Sequence, residues 1–187
     1  MLRTTLLALL LLAGCSTQPQ PHGEHTHSSA PPTSSAAVAP GGFSDTDAAY
    51  VQLAIPQDET VMPVLALAKS REGVDPGLVS LAGEVEAGHQ KELERLRGAL
   101  SAAGQTYLNM HEGHDMPGMV TGDELAALTA LSGPAFDAQL RVLLRAHFEE
   151  SVTVAKSELA AGSSAEVLEV TRGIESSRGA YLARLGV

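Results

Sequence analysis

Residues 46–59 read TDAAYVQLAIPQDE, and residues 136–149 read FDAQLRVLLRAHFE, a similar stretch 90 positions further along the chain. In both, apolar side chains recur with the spacing of one helix face, which predicts two amphipathic helices. A second helical segment follows each stretch, and these segments match one another at an offset of 89. Their matched residues are Val79, Leu81, Val85, Leu93 and Leu96 in the first, and Leu168, Val170, Ile174, Leu182 and Leu185 in the second. Two similar hairpins bury their apolar faces most simply as one antiparallel four-helix bundle.

We therefore predict an all-α fold made of two repeated helical hairpins, joined by a connector that contains a short helix. The first helix starts near Ser44, and Pro56 and Pro63 should bend or break it. The other long helices are expected at about 78–100, 135–161 and 165–185. Within the connector, Thr121 and Glu124 have the spacing of a capping box, which marks the start of the short helix.

The composition excludes several kinds of partner and activity. The 187 residues carry 22 acidic and 12 basic side chains, a net charge of −10. This balance argues against nucleic acid and against an anionic membrane surface as electrostatic partners. The sequence has no phosphate-binding glycine loop and no recognisable nucleophile motif, so we expect a protein that is not an enzyme.

The N-terminal apolar run ends in Leu12-Ala13-Gly14-Cys15-Ser16, which resembles the lipobox of bacterial lipoproteins. The resemblance implies export, lipidation of Cys15 and anchoring of the chain to a bacterial membrane. The alternative is an ordinary signal peptide that contains a Cys by chance. On the first interpretation, residues 1–14 are the signal peptide, residues 15–42 are the lipidated Cys and a disordered tether, and residues 43–187 are the bundle domain.

Two stretches outside the long helices carry residue types that bind metals. The connector reads MHEGHDMPGM over residues 110–119, and imidazole and thioether groups together suit copper or silver. Its candidate ligands are Met110, His111, His114, Met116 and Met119. The tether adds His22, His25 and His27, although a flexible segment loses entropy on binding. The alternatives are a polar connector whose Met side chains pad the bundle, and a solvated tether.

Several short motifs resemble a bacterial family catalogued as domain of unknown function 305. They are AIPQDE at 54–59, HDMPGM at 114–119, RAHFE at 145–149, and Phe136-Asp137. The resemblance covers about residues 43–185. It implies a ferritin-like four-helix bundle that is exported and often lipid-anchored, with some members linked to copper or silver binding and resistance.

The family pattern places a His-His pair in each half of the chain, and the resemblance puts these pairs on Gln57 and Asp58 and on His147 and Phe148. A Gln in each second helix falls on His89 and Arg178, and the Glu three residues later falls on Glu92 and Tyr181. The family's Met positions fall on Val64, Leu96, Val154 and Leu185. Since one His of four remains, we expect the metal site in the bundle core to have been replaced.

Polar side chains interrupt the apolar faces at these positions. Six of them should meet in the middle of the bundle: Gln57, His89, Glu92, His147, Arg178 and Tyr181. We expect a buried hydrogen-bonded network centred on Glu92 and Arg178, because an inward Arg cannot ligate a metal and repels cations. The alternative is that Arg178 extends to solvent. Any metal should then bind in the connector, not between the helices.

These residues allow three interpretations of the protein's function. A di-iron enzyme is disfavoured, because the last helix has Glu175-x-x-Arg178 where a Glu-x-x-His would be needed. A lipid-anchored protein that binds copper or silver through its connector is the first remaining interpretation. The second is a non-catalytic module of the cell envelope that has lost the family's metal.

Overall fold

The computed structural model describes residues 42–186 of the chain. These residues form five α-helices and, within this range, no β-strand. The helices are α1 (Asp45–Ser70), α2 (Pro76–Ala102), α3 (Gly122–Ala130), α4 (Gly133–Ala161) and α5 (Ala165–Leu185). The prediction of an all-α fold with four long helices is confirmed. None of the helices in this range is both long and apolar enough to cross a membrane.

The contacts at the two ends of the bundle show that neighbouring helices are antiparallel. Near the end of α1, the Arg71 guanidinium carbon lies 4.8 Å from the ring centroid of Phe136, at the start of α4. Near the beginning of α1, Asp47 accepts a hydrogen bond from the backbone nitrogen of Ser164 (2.9 Å), just after α4 ends. Arg95, late in α2, likewise pairs with Glu166, early in α5.

The connector between α2 and α4 runs the length of the bundle alongside α1. Two side chains of α1 and the residue that follows it hold the connector at successive heights: Gln52 donates to the Thr106 carbonyl (3.0 Å), Thr60 accepts from the Val120 nitrogen (3.2 Å), and Arg71 donates to the Thr129 carbonyl (2.7 Å). A single long crossover between two antiparallel hairpins is the ferritin-like topology. The predicted capping box of α3 is present, with Thr121 and Glu124 each accepting from the other's backbone nitrogen.

We expected Pro56 and Pro63 to bend or break the first helix, and the expected break is wrong. Helix α1 continues through both residues as one α-helix of 26 residues. Each Pro removes a backbone hydrogen bond and crowds the preceding turn, at a cost of roughly 3 kcal/mol. Helix α1 packs against α2, α3 and α4, and this tertiary packing outweighs the local cost.

The core consists of two apolar clusters separated by a polar layer. One cluster packs residues such as Val61, Val85 and Leu144, and the other packs residues such as Ile55, Leu93 and Ile174. Between the two clusters, each long helix places a buried ionisable side chain, and these four are Asp58, His89, His147 and Arg178. Burying four such groups at one level is costly unless they form hydrogen bonds or ion pairs with one another. This layer is therefore the candidate functional site.

Candidate metal centre

Three of the four polar residues present ligand atoms to a common point. The Nε2 atoms of His89 and His147 lie 2.9 Å apart. The Oδ1 atom of Asp58 lies 3.4 Å from the first and 3.9 Å from the second. A triangle of this size fits around one ion with bonds of roughly 2.0–2.2 Å to nitrogen and oxygen. We call Asp58, His89 and His147 the triad.

The connector fixes the orientation of the His147 ring. Its Nδ1 lies 2.9 Å from the carbonyl oxygen of Gly118. A carbonyl only accepts, so Nδ1 carries the proton, and the lone pair of the neutral ring is then on Nε2, directed towards His89. Metal-binding imidazoles are held in this way, with the second nitrogen donating to a carbonyl or carboxylate.

His89 has two choices for its proton. On Nε2, the proton would be donated to His147, leaving Nδ1 without a hydrogen-bond partner among the described residues. On Nδ1, it would point towards Oε2 of Glu92 at 3.7 Å, and both Nε2 lone pairs would then face each other. Two nitrogen lone pairs that face each other at this distance repel, and a cation between them removes the repulsion. The triad can therefore exchange a bridging proton for an ion.

The fourth residue of the layer, Arg178, brings a fixed positive charge beside the triad. Its guanidinium makes two bonds to Glu92, at 3.1 and 2.7 Å, and one to Asp58 Oδ1, at 3.0 Å. Its Nη2 also lies 3.5 Å from Nε2 of His89. Burial raises the pKa of Asp58 to about 8, so a proton on Asp58 leaves the ion-free layer neutral; once an ion displaces that proton, with both imidazoles neutral, the layer carries one net negative charge. A singly charged cation would neutralise it.

Burial dominates the protonation of the triad. It lowers the pKa of His147 to about 3 and that of His89 well below its usual value, and the charge of Arg178 lowers both further. Burial also raises the pKa of Asp58, although Arg178 opposes that change. For Arg178, burial would lower the pKa, but Asp58 and Glu92 raise it above the ordinary value, so the guanidinium stays charged.

The predicted core network is assembled only in part. Glu92, Arg178, His89 and His147 contact one another as described above, and Arg178 is fully buried and does not extend to solvent. Gln57 is buried too, but its amide donates to the Pro117 carbonyl in the connector, at 3.4 Å. Tyr181 is half-buried and packs on Phe148, with ring centroids 5.4 Å apart.

Asp58 is central to the observed network, although it is not among the six residues predicted for it. Its position carried a signal, because it follows Ile55 by three residues and precedes Val61 by three, which places it on the buried face of α1. The role of Gly118 was also missed. Nothing in its local sequence indicates that its carbonyl meets a His on another helix.

Three of the five connector candidates, His111, His114 and Met119, line the same cavity of about 690 Å³. Met110 is 64% exposed, Met119 is 9% exposed, His114 is exposed, and His111 and Met116 are half-buried. Among residues 42–186, one group of three His, Cys, Asp or Glu side chains has ligand atoms within 4.8 Å of each other, and it is the triad. The ready-made group is thus between the helices, where we had not expected one. Cys15, His22, His25 and His27 lie outside the described residues.

The fold is a ferritin-like helical bundle, with four long helices, one long crossover, and buried His and Asp side chains between the helices that could hold an ion. Within that class, the chain belongs to the family described as domain of unknown function (DUF305), which matches residues 47–186.

Two solved structures resemble the chain. The first, a DUF305 fragment from Deinococcus radiodurans, has a TM-score of 0.67 and 18% identity, over 76% of this chain and 94% of the other. The second is described as "putative secreted protein DUF305 from Streptomyces coelicolor" and has a TM-score of 0.67 and 18% identity, over 75% of this chain and 89% of the other. At 18% sequence identity, this structural similarity shows that the fold is shared. A search of curated proteins gave no significant match.

Proposed function

We propose that this protein is an exported helical-bundle protein that binds one copper or silver ion at the triad. The observation that carries the proposal is the convergence of two imidazole Nε2 atoms and one carboxylate oxygen within 3.9 Å of each other, all buried. Imidazole ligands favour copper and zinc over calcium or magnesium. The one negative charge that the layer carries once Asp58 is deprotonated favours Cu(I) or Ag(I) over a divalent ion.

Binding without catalysis suits this location. His89 and His147 have no exposed surface, and Asp58 is 3% exposed. The two cavities described, of about 930 and 690 Å³, are lined by other residues. Because the three side chains are buried and line neither cavity, we propose a role in holding the metal.

A titration locates the ion. A truncated form that starts at Ser16 keeps every described residue and the tether but lacks Cys15, whose thiol would compete for Ag(I). We expect calorimetry to show one Ag(I) bound per chain, binding that is lost in His147→Gln, and binding that persists in the matched control His114→Gln. Zn(II) should bind more weakly, because it leaves an excess positive charge beside Arg178.

The connector is the alternative location for the ion. A variant that replaces Met110, His111, His114, Met116 and Met119 tests it, and a variant that replaces His22, His25 and His27 tests the tether. If Ag(I) binding survived His147→Gln but disappeared in the connector variant, the ion would belong to the connector and the triad proposal would be wrong.

A second function is favoured by one observation. The Nη2 atom of Arg178 already lies 3.0 Å from Asp58 Oδ1, where it acts as the cation of the layer. On this reading, the protein is a non-catalytic module of the cell envelope that has replaced the metal with an arginine. Failure of the Ser16 form to bind Ag(I) or Zn(II) at all would favour this function.

We also propose that the chain is lipidated at Cys15 and anchored to a bacterial membrane. The lipobox-like sequence supports this, and so does export of a similar protein described as secreted. Metabolic labelling with an alkyne fatty acid should mark the full chain and leave Cys15→Ser unmarked. Equal labelling of both forms would contradict the anchor.

A further inference from the structure

The segment 117–120 of the connector lies directly against the helices that hold the triad. The carbonyl of Pro117 accepts from Gln57 (3.4 Å), the carbonyl of Gly118 accepts from His147 (2.9 Å), and the Val120 nitrogen donates to Thr60 (3.2 Å). Three hydrogen bonds within four residues therefore hold this segment against α1 and α4 at the level of the triad.

Gly118 is required at the centre of this segment for two reasons. Its φ is +75°, a left-handed conformation that residues with a Cβ rarely adopt. A Cβ added there would lie 2.6 Å from Cβ of Glu150 on α4, which is far inside a normal contact. Any other residue must push the connector away from α4, and the carbonyl that meets His147 moves with it.

We propose that Gly118 is the positioning residue of the triad: its carbonyl selects the Nδ1-protonated form of His147 and so directs the Nε2 lone pair into the bundle. The metal affinity that follows rests on the proposed function, but the selection of one ring form does not. The connector and the ion site are then a single unit. An ion that binds His147 also strengthens the hold on the connector, and a displaced connector weakens the site, because the coupling is reciprocal.

The chain offers a matched control for this proposal. Gly113 lies in the same connector with φ +76°, but a Cβ added there meets nothing within 4 Å. Gly113→Ala therefore introduces the same backbone strain as Gly118→Ala without displacing the segment. Thr60→Val is a second test, because it removes the oxygen that accepts from Val120 while keeping the side-chain shape.

The experiment uses the Ser16 form and consists of two measurements. Long-range proton–nitrogen NMR on the ion-free protein should show His147 protonated at Nδ1 in the parent and in Gly113→Ala, and a mixture of ring forms in Gly118→Ala. Ag(I) affinity should fall at least about tenfold in Gly118→Ala relative to Gly113→Ala, and to a smaller extent in Thr60→Val.

The outcomes separate the two proposals. If the parent binds no Ag(I), the proposed function is wrong, but the NMR comparison still decides the role of Gly118. If Gly118→Ala keeps the parent's Nδ1-protonated His147, the positioning role is overturned. Equal Ag(I) affinity in Gly118→Ala and Gly113→Ala would overturn the coupling between connector and ion.

Discussion

Arg178 and Glu92 form an ion pair with two bonds, of 3.1 and 2.7 Å, in which the Arg178 side chain has no exposed surface and the Glu92 side chain is 15% exposed. Arg178 also pairs with Asp58 in the same polar layer, at 3.0 Å. Removing its charge would leave two carboxylates facing each other beside two neutral imidazoles. The stability of the fold therefore depends on this single cation.

We expect Arg178→Leu to lower the free energy of unfolding by roughly 3–5 kcal/mol, because uncompensated buried charge is costly. The control is Arg184→Leu, since Arg184 pairs with Glu84 at the surface, where an ion pair contributes about 0–1 kcal/mol. Chemical denaturation measures both. A melting temperature of Arg178→Leu within a degree or two of the parent would contradict the buried pair.

The Asp47 carboxylate holds the first helix to the turn between α4 and α5. It accepts from the backbone nitrogens of Ser44 (2.6 Å), Ser163 (3.1 Å) and Ser164 (2.9 Å). We expect Asp47→Ala to destabilise the bundle by about 2–4 kcal/mol, through a lost cap and unsatisfied buried donors. Asp45→Ala, in the same turn but exposed, should cost under about 1 kcal/mol in the same denaturation assay. Similar losses in both variants would refute the special role of Asp47.

Glu158 should make the stability of the fold fall as the pH rises. The residue is 1% exposed, and burial together with the neighbouring Asp47 carboxyl raises its pKa to about 8. Between its unfolded pKa, roughly 4.3, and about 8, the folded protein holds a proton that the unfolded chain has lost, so stability decreases across that range.

Replacing Glu158 with Gln removes this titration. We expect Glu158→Gln to be more stable than the parent by at least about 1 kcal/mol at pH 9, with the difference shrinking towards pH 4. Denaturant midpoints of both proteins across that pH range provide the measurement. A difference that is constant with pH would mean that Glu158 is not protonated in the folded state at neutral pH.

Ion binding should stabilise the folded chain, because the unfolded chain has no assembled triad. At an Ag(I) concentration about 100 times the dissociation constant, we expect a gain of roughly 2.7 kcal/mol in the parent. His147→Gln should gain much less. Thermal melts with and without the ion test this, and an equal gain in both proteins would place the stabilising ion elsewhere.

The architecture was predictable because it repeats in the sequence. Apolar residues at matched positions in the two halves specified four helices, and Thr121 and Glu124 marked α3. Of the predicted bend or break at Pro56 and Pro63, the break was wrong, because the local cost of proline was considered without the packing of α1 against three other helices. Tertiary contacts of that kind cannot be read from one segment.

The sequence predicted which level of the bundle holds the candidate site, but not which side chains contact one another there. Interrupted apolar faces indicated that His89, Glu92, His147 and Arg178 point inward, and all four contact one another through the layer. The same reasoning placed Gln57 there, yet its amide turns to the connector. Which side chains on one helix face converge depends on rotamers and on the crossover, and neither has a local sequence signal.

Anomalous X-ray diffraction from crystals of the Ser16 form grown with Ag(I) shows directly whether the ion binds at the triad. We expect one strong peak between His89, His147 and Asp58, within roughly 2.0–2.5 Å of the two Nε2 atoms. A strong peak confined to the connector residues, or density that shows Arg178 alone as the cation of the layer with no silver beside it, would mean that the triad does not hold the metal.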